Sequence, residues 1–475
     1  MSAPARHAPA WPAVVLGGIL GLAILKLGNP VILEQQIGTP ATPEDWISQP
    51  WPPRTGRWLL LGLALAMAVL PGIWTALRDG LRPRWLWWPP WAWLGWQVAS
   101  ASGSVDATLT GATLPHLATV VLAFGLGVAC ARLRPWPILL GVGLASAYCW
   151  MVAIQQRTIE FPRDREALLQ GEQTGWTHFT PLQVAELRTS GFILRTNNVD
   201  VANPLLMDKL ARARVHGTLV YPNALAGLVV LAFPVLAVAM ARLMDESQAR
   251  RWVRNLALAL LTGLAGASLW WSGSRSGWLL ALASGVAMAW LLPALRQARL
   301  AFTGAVVIGG LGIFVARNAG YFGKGAASAS ARLDYWTAAV QAAVERPVLG
   351  HGPGTFMRAY ARLKRPESEM ARLVHHDYLE QFSDSGIPGG IAYVAWIGGA
   401  LWVAWTRHGR GGQPVMVALL VGTTAWLAQG FSEFGLYVPA TAWTAFVFLG
   451  WLVAAPRGLA STPPGGDFKT SGPIA

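Results

Sequence analysis

Charge is scarce in this chain: only 13% of its 475 residues are Asp, Glu, Lys or Arg, while 53% are hydrophobic. Soluble domains carry about a quarter of charged residues, so a soluble globular protein is excluded and a membrane-embedded one is expected. Cysteine is nearly absent too. Cys130 and Cys149 are the two present, and they fall at different depths of neighbouring apolar segments, which argues against a disulfide. No repeat of fixed period and no Cys/His metal spacing appear, so no metal or other cofactor is expected. The Gly-rich run Gly350-His351-Gly352-Pro353-Gly354 precedes no strand and helix in the order that a phosphate-binding loop needs, which disfavours a nucleotide-sugar donor. Ionisable residues are also missing from the middle of the apolar segments. Ion-coupled transporters place such groups at mid-depth, so chemistry at an interface fits better than transport through the bilayer.

What is present is a series of apolar runs. A span needs roughly 20 mostly apolar residues. On that basis the chain reads as an all-α polytopic membrane protein of about 12 transmembrane helices, at 11–30, 58–77, 85–101, 113–131, 137–155, 218–243, 253–271, 276–295, 299–317, 388–406, 415–431 and 436–454. The net charge of +14 would suggest nucleic acid in a soluble protein, but here the basic residues sit in alternate short breaks, and no nucleic-acid partner is expected. Arg6, Arg78, Arg82, Arg84, Arg132, Arg134, Arg242, Arg250, Arg251, Arg254, Arg296, Arg299, Arg407, Arg410, Arg457 and Lys469 all share one side. By the positive-inside rule that side is cytoplasmic, with both termini inside. The apolar run after Arg6 lacks a small-residue cleavage site, so it reads as an uncleaved first span. Many of the 26 Trp lie at segment ends and suit interfacial belts.

The expected organisation is therefore five helices in 1–155, an outer loop at 156–217, four helices in 218–317, a large outer loop at 318–387, three helices in 388–454, and a disordered cytoplasmic tail at 455–475, rich in Pro and Gly. Both long hydrophilic stretches face outward. In the first, Thr180-Pro181 and Asn203-Pro204 pair an N-cap with Pro at the first helical position, and Gly191 and Gly217 are plausible stops; two short helices on the membrane surface are expected. The second should hold a helix from about Ala331 to Glu345, a Gly/Pro turn over 349–356, and a helix from about His376 to Ser385 closed by Gly386 and Pro388.

Several residues could carry chemistry. Arg275, in Ser272-Gly273-Ser274-Arg275-Ser276-Gly277, lies at the outer N-terminus of a span, where the helix already presents free N–H groups and partial positive charge. A cation there is unfavourable by about 0.3–1 kcal/mol unless an anion docks between. The cluster looks like a phosphate site, with Ser272, Ser274 and Ser276 as further donors; the alternative is an arginine snorkelling to lipid headgroups. His375-His376-Asp377-Tyr378 opens a short helix. One of these imidazoles could act as a general base near pH 7, or both could be surface residues. Asp377, Glu380 and Asp384 fall on one helical face, a spacing expected of a solvated stripe. Arg332 is either a second anion clamp or a partner of Asp334 or Glu345, and Arg214 with Arg212 would ordinarily meet lipid phosphates.

Taken in order, these pieces resemble the O-antigen ligase superfamily of membrane glycosyltransferases, which includes surface-polysaccharide polymerases and bacterial protein O-oligosaccharyltransferases. GTLVYPNALAG resembles its Pro-Asn entrance to a span, WSGSRSGWLL its Ser-Arg-Ser/Gly segment, and ARLDYW, RPVLGHGPGTF and HHDYLEQFSDSGIPGG its large outer loop. The likeness covers about residues 210 to 435. The ligase pattern of His, then Asn, Ser or Gln, nine residues, Gly, two residues, Gly and Thr is met by His375, Gly386 and Gly389, with His376 and Gly390 standing where other residues are usual. The resemblance implies a bacterial inner-membrane enzyme with a periplasmic active site. It would transfer a glycan from an undecaprenyl-diphosphate carrier to a hydroxyl of another glycan, a lipid A core or a protein. It implies His375 as the catalytic base and Arg275 as the essential arginine, with Arg332 and Arg214 as further outer-face arginines and Ser274, Ser276 and His376 beside the substrate. A flippase of lipid-linked oligosaccharide is the rival of another class, and predicts charged groups along a central path.

Overall fold

The computed structural model describes residues 10–70, 73–131, 136–323 and 327–456. Arg6, Arg132, Arg134, Arg457, Lys469 and the expected disordered tail beyond 456 lie outside the described residues. The chain is almost wholly helical. Its principal helices are α1 (Trp11–Lys26), α2 (Pro53–Ala68), α3 (Trp88–Ala101), α4 (Ala107–Cys130), α5 (Trp136–Gln173), α6 (Pro222–Glu246), α7 (Arg251–Ser272), α8 (Arg275–Leu291), α9 (Arg299–Gly320), α10 (Ala327–Glu345), α11 (Asp377–His408), α12 (Pro414–Gln429) and α13 (Pro439–Ala454).

Six of these, α4, α5, α6, α7, α9 and α11, are long and apolar enough to cross a membrane. The chain is an integral membrane protein. The other expected spans are helices of fewer than 18 residues, α1, α12 and α13 among them. The run expected at 58–77 is not one helix: α2 stops at Ala68, with Pro71-Gly72 next in sequence, and a short helix resumes at Ile73–Gly80.

Packing is ordered around α13, which is buried from Pro439 to Ala454. Lipid tails are as apolar as the side chains, so helix association here depends on close approach. Gly127 of α4 and Gly450 of α13 supply it: a Cβ at either would lie 2.1 Å from a carbonyl oxygen of the opposite helix. Trp93, Trp396, Trp443 and Phe446 fill the space beside this contact. By contrast α9 exposes Leu300, Val307, Ile308 and Val315, the surface expected of a helix that meets lipid.

The first outer stretch departs from expectation in two respects. α5 does not end at 155: it continues through a π-helical turn, Gln156–Glu160, to Gln173, giving 38 residues. At 1.5 Å per residue that is about 57 Å, well beyond the ~30 Å hydrocarbon core, so its last part stands clear of the bilayer. The Gln156 side chain then staples the stretch shut, accepting the N–H groups of His216 and Gly217 and donating to the Gly217 carbonyl. Second, a β-hairpin pairs Ile193–Thr196 with Val199–Ala202. Asn197 and Asn198 at its tip both have positive φ, as a two-residue primed turn requires. The two expected helices form at Pro181–Thr189 and Pro204–Arg212, capped by Thr180 and Asn203. Leu168, Trp176, Ile193 and Ala202 close a small core between them.

In the second outer stretch α10 ends at Glu345 and α11 begins after His376. The closure expected at Gly386 is a kink rather than an end: Ser385 and Gly386 leave helical geometry, then the helix resumes to His408. Gly386 has φ 69° and ψ −176°, a region open essentially to glycine alone, and a Cβ there would sit 2.4 Å from the Val348 carbonyl oxygen.

Candidate functional site

Asp377, Glu380 and Asp384, expected as a solvated stripe, are instead buried. Each holds backbone. Asp377 accepts the Leu436 N–H, Glu380 the Val374 N–H, and Asp384 both the Gly354 N–H at 2.7 Å and the Tyr437 hydroxyl at 3.0 Å. The Gly350-to-Gly354 run is the other half of this latch: His351 and Gly352 donate to the carbonyls of Ser383 and Asp384, and Ile387 donates to Pro347. Gly350 allows backbone to pack on backbone at the α11 kink, since a Cβ there would lie 2.4 Å from the Asp384 carbonyl oxygen. Leu436 is gripped from both ends, since its carbonyl receives His116 Nε2 at 2.7 Å. The outcome is a rigid seat for two short segments, 374–376 and 430–437.

On that seat stands His375. Its φ of 56° is left-handed, costing a non-glycine residue about 1–2 kcal/mol, and such strain persists where the surroundings impose it. The ring stacks on Tyr335 and meets the edge of Phe434 at 4.7 Å. Nδ1 lies 3.5 Å from Glu433 Oε2, and the side chain remains 30% exposed. Glu433 is buried, and its Oε1 accepts Arg332 at 2.5 Å and the Asn223 amide at 2.7 Å. The Asn223 side-chain oxygen Oδ1 in turn accepts Arg214, whose Nε donates to the Ser272 carbonyl at 2.7 Å. Asp334 and Glu345, the partners considered for Arg332 from sequence, bind Ser368 and Arg362.

Arg275 joins from the start of α8, with Nε donating to Asn318 at 3.1 Å. Ser274 is the N-cap of α8 and accepts the Gly277 N–H; Ser272 accepts the Ser274 N–H and donates to Leu269. Ser276, half-buried, is the second residue of the helix. Burial holds the Arg214 guanidinium below its ordinary pKa; the nearby Glu433 carboxylate opposes this, while the neighbouring Arg275 and Arg332 reinforce it. Arg275 and Arg332 thus lie close enough to Arg214 to repel it, with Glu433 close enough to attract it. A cavity of about 120 Å³ opens beside Arg214, lined also by Tyr221, Asn223, His375, Gln429 and Glu433.

His376 is turned to a different task. It is the N-cap of α11, with Nδ1 accepting the Leu379 N–H, and its ring lies among Trp336, Phe431 and Tyr378. Burial pushes this imidazole down to about 4, so it is neutral at ordinary pH. An N-cap takes Asn or Ser by preference, and here His376 makes the same bond. Gly390 is accounted for as well, since a Cβ there would lie 2.4 Å from the Phe382 ring.

Residues 256–394 match the family model described as O-antigen ligase. That segment is similar to the O-antigen ligase family. No curated protein matches the chain. The matched segment contains Arg275, Arg332, His375 and the α11 kink, whereas Arg214, Asn223 and Glu433 lie outside it and are brought in by the fold. Glu433 and Asn223 escaped the sequence reading. A lone acid beside a span and an Asn at a helix start are both ordinary, and only their convergence distinguishes them. Among the described residues no group of three His, Cys, Asp or Glu could hold a metal ion.

Proposed function

We propose that this protein is a glycosyltransferase of O-antigen ligase type. It transfers a glycan from an undecaprenyl-diphosphate carrier to an acceptor hydroxyl at the periplasmic face of a bacterial inner membrane. The observation that carries this reading is the cationic setting of His375: Glu433 pairs with Arg332, while Arg214, which lines the same cavity and lies near Arg275 and Arg332, is held by the neutral oxygens of Asn223 and Ser272. Like charges so placed repel, and a diphosphate restores the balance. The family match supports the reaction class.

In this mechanism His375 takes the proton of the acceptor hydroxyl. With Nδ1 facing Glu433, Nε2 is the nitrogen offered to the acceptor, and the Glu433 carboxylate stabilises the imidazolium as it forms. The acceptor oxygen attacks the anomeric carbon with inversion while the bond to the diphosphate breaks. Arg275 and Arg214 bind the departing anion, and Arg332 fixes Glu433. Such preformed contacts are worth several kcal/mol in a partly desolvated site. The expected topology, twelve spans with both termini cytoplasmic, belongs to the same reading.

Reconstituted protein given a lipid-linked glycan and, separately, lipid A core, a second lipid-linked repeat or a pilin-like protein should extend one of the three. His375→Ala and Arg275→Ala should each lower transfer by about 10²-fold or more while the protein stays folded. Full activity in either variant removes that residue from the mechanism. Transbilayer movement of the glycan lipid without a new glycosidic bond would make the protein a carrier instead.

A further inference from the structure

A second cavity, of about 760 Å³, lies between α2, α3 and α4, with the Ile73–Gly80 helix at its far end. It shares no lining residue with the His375 cavity. Its walls are apolar, among them Leu61, Met67, Trp91, Leu122 and Ala129, and Arg57 and Thr119 are the polar exceptions. An ordered water needs two to four polar partners, so this space suits hydrocarbon.

Its length selects the kind of hydrocarbon. Along α4 it runs from Pro115 to Ala129, about 21 Å at 1.5 Å per residue. That exceeds half of a ~30 Å hydrocarbon core, so a chain entering at the Arg57 end passes the bilayer centre, where the tails of an ordinary phospholipid in that leaflet stop. The mouth is cationic. Arg57 binds Glu34 through both terminal nitrogens, at 2.8 and 3.0 Å, while the Arg54 guanidinium reaches Thr39 rather than an acid. Two guanidinium groups thus face one carboxylate, which suits an anionic headgroup.

The geometry points to a binding site for a polyisoprenoid phosphate, its chain along α2 and α4 and its phosphate at Arg54 and Arg57. This site is separate from the His375 pocket. Gly125 lines this cavity and offers a plug as Gly125→Phe, because a Cβ there meets nothing within 4 Å.

Native mass spectrometry of the full-length protein would compare undecaprenyl phosphate, the shorter farnesyl phosphate and dioleoyl phosphatidylglycerol, and a diazirine-bearing polyprenyl phosphate would map the contact. Undecaprenyl phosphate should bind at least about tenfold more tightly than the other two, and label should appear in residues 57–68 and 115–129. Gly125→Phe should abolish that label while leaving any label near the His375 pocket; Ala118→Leu, on the same wall, serves if the first variant does not fold. Equal binding of all three lipids, or labelling confined to residues 221–235 and 426–441, overturns the proposal.

Discussion

Two clusters of ionisable residues meet where Asp377 follows His375 and His376, and they differ in burial and in charge. In the latch at the α11 kink, Asp377, Glu380 and Asp384 are fully buried and each accepts a backbone N–H group, Asp384 accepting the Tyr437 hydroxyl as well, while Glu380 Oε1 and Asp384 Oδ1 are left without a hydrogen-bond partner. In the pocket above it, Arg332 pairs with Glu433, Arg214 lies near that pair and near Arg275, the imidazole of His375 is partly exposed, and its backbone is strained. The first cluster is acidic, sealed from solvent, and binds the backbone of two loops. The second is mainly basic and partly open, which suits it to the anionic substrate proposed above.

If the latch serves only to hold, breaking it should cost folding before chemistry. Gly386→Ala forces a Cβ to within 2.4 Å of the Val348 carbonyl in a conformation closed to alanine. A loss of about 3 kcal/mol or more is expected, seen as a large fall in folded yield and thermal midpoint in detergent. The fraction that folds should keep the greater part of its turnover. Normal stability with lost turnover would place the kink inside the chemistry.

The pocket should respond in the reverse way. Glu433→Gln keeps an oxygen for Arg332 and Asn223 but removes the charge beside His375. Transfer should fall about 10- to 100-fold through kcat, with the thermal midpoint nearly unchanged, because a geometry-preserving change removes electrostatic stabilisation of the imidazolium and little packing. Unchanged kcat would reduce Glu433 to a strut of the same kind as Asp384.

How far the chain could be read in advance follows from the same contrast. Apolar runs, N-cap and Pro pairs and stopping glycines are local features, and they marked the membrane class, the helices at 181–189 and 204–212, and the helix after His376. His375, Arg275, Arg332 and Arg214 could be singled out together in advance because the family resemblance orders them along the chain, and their role is part of the proposal. What was not legible depends on contacts across long sequence separations. Glu433 reaches back 101 residues to Arg332 and 210 to Asn223. Gly350 to Gly354 look like a flexible turn until Asp384 is seen to hold them, and an i, i+3, i+7 acid pattern has the same spacing whether water or another backbone covers it. The hairpin was a missed local feature, for Asn197-Asn198 is itself a turn former.

The smallest expected effect separates the two adjacent histidines. His376 caps α11 with Nδ1, and its imidazole is held near 4 against an ordinary 6.5. A folded pKa below the unfolded one means that the unfolded chain binds the extra proton, so stability is full above about 6.5 and declines as pH falls from there toward 4. His376→Asn retains an N-cap acceptor and removes the titration. Thermal midpoints measured from pH 7.5 down to 4.5 should therefore fall less steeply in the variant, while the pH profile of transfer between 6 and 8 keeps its shape and height to within about twofold, since His376 is already neutral there. A displaced activity profile with an unchanged stability slope would reverse the roles given to the pair, moving the proton transfer from His375 to His376.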